Sequence, residues 1–380
     1  MTAGRPAALE VERRRIRVRG TVQGVGFRPF LYRHAVELGL SGWVGNEDGD
    51  VLLEVEGGLA GLDALLRLLR DSPPPLAVVE AVEVEALAVT GTPGFFITAS
   101  STGGNTDVRV SADVAPCAAC LAEMADPADR RFGYPFTNCT DCGPRYTIVR
   151  EVPYDRPATT MAAFVMCAAC QREYDDPADR RFHAQPNACP DCGPQLAWTG
   201  PGGPAAGPAA LAAAVACVRA GGTIALKGVG GYHLACDATD RSAVAQLRRR
   251  KQRDDKPFAV MVRDLAEAAR LCRLEPAVQE ALRSARRPVV LAPRRPDSPI
   301  AAGVAPGLAE LGLMLPSSPL HVLLLGAVPA PLVMTSGNRS DEPVVHVDDQ
   351  ARERLSPLVD GLLTHDRPIH IRADDSVLRS

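Results

Sequence analysis

Four cysteines at one spacing occur twice in this chain. Cys117, Cys120, Cys139 and Cys142 form two CxxC pairs separated by 18 residues, and Cys167, Cys170, Cys189 and Cys192 repeat the pattern 50 residues further on. The intervening text repeats too: DPADRRF at 126–132 returns at 176–182, and DCGP at 141–144 returns at 191–194. Two thiolates on one tight knuckle reach a single tetrahedral ion, and a second knuckle closes its shell. Each unit therefore reads as a structural tetrathiolate zinc site, two Zn ions in all. Spacing does not fix which knuckles share an ion; sequential pairing and pairing crossed between the repeats both satisfy it. A disulfide framework belongs to short secreted chains. This one has 380 residues, and its amino-terminal MTAGRPAALEVERRR carries basic residues with no apolar run behind them, which reads as a short tail and not a targeting segment. Free thiols and zinc together predict a reducing, cytoplasmic setting. Cys217, Cys236 and Cys272 have no partner spacing and read as small buried apolar residues.

A chain of this length holds two to four domains. Composition shifts twice, which predicts three: 13–102, 110–198 and 205–380, with the Gly/Pro string at 200–204 as a flexible linker into the last. No apolar run approaches the ~18 residues of a membrane span. Net charge is -3 overall, and 117–192 hold eight Arg, no Lys and eleven Asp or Glu, again net -3. A nucleic-acid clamp should be positive, so nucleic acid is not the expected partner.

The first segment reads strand, helix, strand, strand, helix, strand, strand. Ile16 to Arg19 is a short strand, Pro29 to Leu38 carries apolar residues at helical spacing, Val51, Leu53 and Val55 alternate with polar positions, and Leu59 to Leu69 recur on one helix face. Pro73 to Pro75 ends that helix; Val82 and Val84 alternate with glutamates, and Phe95 to Thr98 supplies the last strand. That order predicts a ferredoxin-like α+β sandwich. Its first turn, Gly20-Thr21-Val22-Gln23-Gly24-Val25-Gly26-Phe27-Arg28, is a phosphate cradle: glycines let N–H groups turn inward, a helix N-terminus favours anions, and Arg28 adds a planar fork. Gly42-Trp43-Val44-Gly45-Asn46 ends a strand with an amide able to hold a water. Together GTVQGVGFR and GWVGN resemble the acylphosphatases. The resemblance implies that Arg28 and the amides of Gln23, Gly24, Val25, Gly26 and Phe27 bind the phosphoryl group of an acyl phosphate while Asn46 orients the attacking water. Gly45 departs from the basic residue common at that position.

From Leu211 onward helical and strand-like runs alternate, predicting an α/β domain. The strand Thr223 to Leu226 runs into Lys227 and a glycine-rich turn; 248–258 set six positive charges against two negative ones before a buried strand, Phe258 to Val262; and Val333 to Ser340 place hydroxyls and an amide after a strand. KGVGGYHL, KQRDDKPFAVM, SSPLH and TSGN resemble the YrdC-like family, which condenses a carbamate with ATP into an acyl adenylate. By that resemblance Lys251, Arg253 and Lys256 line a basic cavity for triphosphate and carbamate, Lys227 belongs to the same site, Ser318 lies near the nucleotide, and Thr335, Ser336 and Asn338 contact phosphate or ribose, with Mg sharing the charge. His233 and His321 read as structural histidines.

The three units in this order resemble the HypF-type carbamoyltransferases of nickel–iron hydrogenase maturation. The resemblance implies hydrolysis of carbamoyl phosphate to carbamate, its capture with ATP as carbamoyl adenylate, and transfer to the carboxyl-terminal cysteine of a HypE-type partner for synthesis of the cyanide ligands. The chain ends at Ser380 where an apolar run has only begun, so a truncation that omits the family's large carboxyl-terminal transferase domain is expected. Two rivals stand beside this reading. A threonylcarbamoyl-adenylate synthase of tRNA modification would share the third segment but has no use for the first two. A non-catalytic module, like the CxxC repeats of DnaJ-type chaperones, would bind a protein partner through 117–192. In the HypF-type reading the cysteine module is a rigid spacer between two active sites.

Overall fold

The computed structural model describes residues 11–74, 76–98, 110–340 and 342–379. The amino-terminal tail to residue 10, Pro75, the boundary expected at 102 and Ser380 lie outside them. The first segment comprises β1 (Val11–Thr21), α1 (Phe27–Glu37), β2 (Ser41–Glu47), β3 (Asp50–Gly58), α2 (Leu59–Asp71), β4 (Val78–Leu87) and β5 (Phe95–Ile97), the element order the sequence predicts. The sheet runs β4-β1-β3-β2-β5, a ferredoxin-like sandwich with β1 antiparallel to both neighbours. Ile16 and Val18 face a core built from Leu31 and Ala35 of α1 and Leu62, Leu65 and Leu69 of α2. β1 is longer than the expected Ile16 to Arg19. Arg13, Arg15 and Arg17 occupy the open face, where the first two pair with Glu54 and the third with Asp50, while Arg14, in phase with Ile16, reaches Asp63 of α2, so strand alternation continues where the sequence shows only a basic run.

In the cysteine-rich segment two short helices, α3 (Ala118–Ala125) and α4 (Ala168–Asp175), each start directly after the first cysteine of a repeat. The third segment is a mixed ten-stranded sheet. Its strands are β6 (Leu196–Thr199), β7 (Ala205–Ala206), β8 (Ile224–Lys227), β9 (Tyr232–Asp237), β10 (Ala259–Met261), β11 (Val289–Pro293), β12 (Glu310–Met314), β13 (Leu332–Ser336), β14 (Gly361–His365) and β15 (Val377–Arg379), in the order β15-β11-β12-β10-β13-β9-β8-β14-β6-β7. Helices α5 (Gly207–Arg219), α6 (Arg241–Lys251), α7 (Leu265–Leu271), α8 (Pro276–Arg283), α9 (Pro319–Ala327) and α10 (Asp348–Leu355) accompany it. Among the described residues no helix is long and apolar enough to cross a membrane.

The structure corrects two expectations. The Gly/Pro string at 200–204 is a hairpin turn and not a flexible linker: β6 pairs with both β7 and β14, and Gly202 and Gly203 take φ of 84° and 86°, which only glycine adopts without strain. Residues placed at the end of the metal module thus pair into the third segment's sheet, one strand in from its edge. Nor is the module a spacer. Tyr134, Phe136, Ile148 and Met161 share one apolar core with Trp198, Ala214 and Leu226. Each large side chain buried there contributes roughly 1.5–3 kcal/mol. Cys217, Cys236 and Cys272 are buried, as expected of apolar cysteines.

Candidate functional site

The cysteines form two clusters, Cys117, Cys120, Cys139 and Cys142 in one, Cys167, Cys170, Cys189 and Cys192 in the other, with all sulfurs of a cluster within 4.8 Å of one another. Pairing is therefore sequential, and the crossed alternative is excluded. Neighbouring sulfurs lie at 3.4–3.8 Å in the first cluster and 3.6–3.8 Å in the second. Metal–sulfur bonds of about 2.3 Å place tetrahedral ligands roughly 3.8 Å apart, so the thiols fit a closed zinc-finger shell.

What does cross between the repeats is the DPADRRF string. Arg130 of the first repeat donates to Cys170 Sγ of the second at 3.2 Å, and Arg131 forks onto Glu173 at 2.9 and 2.5 Å. Reciprocally, Arg180 donates to Cys120 Sγ at 3.1 Å, and Arg180 and Arg181 both grip Glu123. A four-thiolate zinc shell carries two net negative charges, and each repeat supplies the other's compensating guanidinium. Burial would raise the carboxyls of Glu173 and Glu123; the arginines outweigh it and hold each down at about 2.

The glycine-rich turn leads into α1 as expected. Gly24 and Gly26 take φ of 70° and 74°, and Gly26 caps the helix. Val25 and Phe27 bury their side chains in the core. Gln23, Gly24, Gly26, Phe27, Arg28 and Asn46 line one cleft; Val25 does not. Asn46 sits on β2, 3 % exposed, and among the described residues the Nε2 of buried Gln23 has no hydrogen-bond partner. The opposite wall is the metal module. Asp155 accepts from Arg28 at 2.8 Å, Arg145 donates to the Gly24 carbonyl at 2.6 Å, and Thr140, Tyr154, His183 and Gln185 complete the lining. Burial and then the charge of Arg28 press the His183 imidazole down to about 4, so it is neutral at pH 7.

In the third segment the expected residues fall into three groups. Lys251, the last residue of α6, is buried and donates to the Ser336 carbonyl at 2.5 Å and to the carbonyl and Oδ1 of Asn338 at 2.8 and 2.6 Å, while Ser336 Oγ donates to Asn338 Oδ1 at 2.8 Å. Burial, reinforced by Arg253, lowers the Lys251 amine to about 7. Lys227 and Ser318 line a separate recess that the module's Phe136 and Pro144 also wall. There Lys227 is ion-paired to Asp348 at 2.6 Å, its pKa lowered by burial, and Ser318 caps α9 by accepting from His321 N–H at 3.2 Å. Tyr232 joins the two groups: its hydroxyl donates to Asp348, and its carbonyl accepts from Gly337 in the turn that Lys251 holds. Arg253 and Lys256 lie on the loop after α6, where Arg253 donates to the carbonyls of Lys256 and Pro257 and stacks 5.4 Å over Phe258. Thr335 is buried one residue before Ser336, on the opposite face of the strand. His321 is fully buried and pressed down to about 3, first by burial, while His233 pairs with Asp375 at 3.0 Å, consistent with structural roles.

Sequence reasoning missed Arg145, Asp155, His183 and the buried pair His365 and Arg367. One signal was available for two of them: at the 50-residue offset Arg145 faces Gln195 and His183 faces Gly133, so both interrupt the repeat.

Family models match three stretches: one described as Acylphosphatase over 14–97, one as HypF finger over 117–149 and 166–199, and a YrdC-type model described as Telomere recombination over 216–380. Carbamoyltransferase HypF of Rhodobacter capsulatus is 53% identical over 365 residues, 96% of this chain and 48% of the relative. Probable carbamoyltransferase HypF of Methanocaldococcus jannaschii is 40% identical over 369 residues, with coverage of 96% and 48%. A crystal structure of full-length HypF in the phosphate- and nucleotide-bound form is similar with a TM-score of 0.95 at 43% identity, across 99% of this chain and 49% of that one. The chain spans about half the length of the curated relatives it matches.

Proposed function

Because the chain belongs to the HypF family, we propose that it performs the two opening reactions of a carbamoyl transfer: hydrolysis of carbamoyl phosphate to carbamate, then condensation of carbamate with ATP to carbamoyl adenylate. The observation that carries the first step is the cleft at the start of α1, where Arg28, a helix N-terminus and the Gln23 Nε2, unpartnered among the described residues, converge with buried Asn46. Arg28 and the amides of Gln23, Gly24, Gly26 and Phe27 hold the phosphoryl oxygens, and Asn46 orients water for attack. A phosphoryl group entering the cleft displaces the Asp155 carboxylate from Arg28. Phosphate leaves, and carbamate passes to the second site before water destroys it.

In the second step Lys251, Arg253 and Lys256, with Lys227, Ser318 and the 335–338 turn, receive ATP and carbamate. Fixed cations oppose the charge that accumulates on the α-phosphate and pyrophosphate. Mg would accompany ATP and share that charge. The two four-thiol shells hold Zn as structure, in the reducing cytoplasm that keeps thiols free. A HypE-type protein with a terminal cysteine receives the carbamoyl group in hydrogenase cyanide-ligand synthesis, a step proposed for the longer proteins of the family.

The test follows pyrophosphate release. With ATP, magnesium and carbamoyl phosphate, release should be rapid and should fall by at least tenfold in Lys251→Met and Arg253→Met; Arg28→Gln should abolish carbamoyl phosphate hydrolysis. If only threonine with bicarbonate supports release, the chain is a threonylcarbamoyl-adenylate synthase and this reading fails.

A further inference from the structure

Arg145 follows the second knuckle of the first metal cluster, and its side chain is buried, the residue 2 % exposed. All three of its guanidinium nitrogens are spent on main-chain carbonyls. Nε donates to Gly24 at 2.6 Å, Nη1 to Cys142 at 2.7 Å and Nη2 to Thr140 at 2.7 Å. Longer contacts reach Pro144 at 3.4 Å and Cys139 at 3.5 Å. Among the described residues no carboxylate pairs with this guanidinium; Asp113 takes the backbone N–H of Arg145 instead. One side chain thus clasps two carbonyls of a metal knuckle and one carbonyl of the phosphate loop, and it lines the same cleft as Arg28.

Two physical consequences follow. The peptide between Gly24 and Val25 is planar, so fixing the Gly24 carbonyl also fixes the path of the chain into Gly26 and Phe27, loop residues that line the cleft although Val25 itself does not. Besides Arg145, Ser111 Oγ reaches the Gly24 carbonyl at a long 3.5 Å, and glycine, here at φ 70°, loses more conformational entropy on ordering than any other residue. A donor array that must be ordered at each binding event binds more weakly than one already fixed. The second consequence is electrostatic. The guanidinium hydrogen-bonds neutral carbonyls and lines the cleft that an incoming dianion would enter.

We propose that Arg145 is a positioning residue for the phosphate loop: it ties the Gly24–Val25 peptide to the first metal knuckle and adds a second fixed cation to Arg28's pocket. The ligand class is a phosphoryl dianion, acyl phosphate or inorganic phosphate. The inference rests on the reading of this cleft as an acyl phosphate site. It makes the metal module part of the first active site.

The experiment uses the full chain loaded with both metals. Inorganic phosphate binding is measured by calorimetry, KM and kcat are measured for carbamoyl phosphate, and amide hydrogen exchange is followed over residues 23–27. Arg145→Met should keep two metals per chain, lose phosphate affinity at least tenfold and raise KM in proportion, with kcat changed less than threefold because Arg28 and Asn46 are untouched. Exchange of the loop amides should accelerate. Arg145→Lys, which keeps the charge but cannot fork three carbonyls, should recover part of the affinity and little of the exchange protection. Wild-type phosphate affinity in Arg145→Met with both metals retained would overturn the inference. So would metal loss in both variants, since that assigns Arg145 to the metal shell alone. If the wild-type chain binds no phosphate, the cleft reading itself falls.

Discussion

Glu173 and Arg131 belong to different repeats, and their pairing offers a direct measure of how far the repeats depend on each other. Arg131 is 2 % exposed; besides its fork onto Glu173 it donates to Asn187 Oδ1 at 3.0 Å and to the Ala188 carbonyl at 2.9 Å. Arg131→Met therefore leaves the carboxylate with Arg130, at 2.7 Å, and a long contact from Asn187 Nδ2 at 3.4 Å, and strands two buried acceptors. Breaking a buried pair in this way costs about 3–5 kcal/mol, and Glu173→Gln, which strands the guanidinium instead, falls at the lower end of the same range. If the pair is the main loss in both, the double variant should cost about 2–3 kcal/mol less than the sum. At about 2–4 °C per kcal/mol, each single variant should unfold roughly 10 °C below wild type. The assay is calorimetric unfolding of all four proteins at one saturating free-metal concentration, since bound metal itself shifts the transition. Additivity to within about 0.5 kcal/mol would refute the claim that the repeats are held together through this pair.

Arg130→Met should loosen metal in the cluster its own repeat does not supply: under chelator competition, thiol alkylation should appear first at Cys167, Cys170, Cys189 and Cys192, and first labelling of Cys117 to Cys142 would contradict the crossed arrangement. Lys251, lowered to about 7 from 10.5, binds fewer protons folded than unfolded between those values, so its burial penalty is full below pH 7 and stability rises with pH across the window. A polyanion restores its charge; pyrophosphate binding near pH 8.5 should take up close to one proton and near pH 6 almost none, read from calorimetric enthalpies in two buffers, and a pH-independent result would place the amine elsewhere. A Cβ on Gly26 would lie 2.6 Å from Thr140 Cγ2 at a φ of 74°. Gly26→Ala should cut phosphate binding, and adding Thr140→Ser, which deletes that methyl, should restore part of it; no restoration would put the defect in backbone strain alone.

Local signals made most of this molecule legible. The alternation of Val51, Leu53 and Val55 and the leucine face of α2 place the first sandwich, and CxxC spacing places eight ligands, because both patterns are set by near-neighbour geometry. Contacts between distant segments were not legible. Nothing in the string Asp155-Arg156-Pro157 marks a carboxylate that meets Arg28, 127 positions earlier. The family resemblance puts Lys251, Arg253 and Lys256 in one basic cavity, yet Lys251 turns inward to hold the 336–338 turn while Lys256 is exposed. Helical periodicity shows the difference only once the end of α6 is known. The hairpin at 200–204 was misread for a related reason: Pro and Gly mark a linker and a tight turn with the same letters, and only the pairing of Trp198 with Ala205 separates them.

Duplication explains why the metal module can serve two sites at once. The shared features of the repeats, eight thiols and the crossed DPADRRF arginines, build a symmetric scaffold whose halves stabilise each other. Equivalent stretches then face different clefts: 183–186 of the second repeat line the phosphate cleft, whereas 135–137 of the first line the recess of Lys227 and Ser318. A pseudo-symmetric block set between two unlike domains presents one surface twice, once to each. What differentiates the faces is the positions where the repeat fails, His183 against Gly133, Arg145 against Gln195 and Thr140 against Pro190. These three bring polar or charged side chains to the phosphate cleft, while the breaks at Ala184 against Tyr134 and Pro186 against Phe136 line it with apolar ones. Symmetry supplies the rigidity, and its local breaks supply the chemistry, so substitutions that restore the repeat, such as Arg145→Gln, should leave metal content intact and weaken phosphate binding.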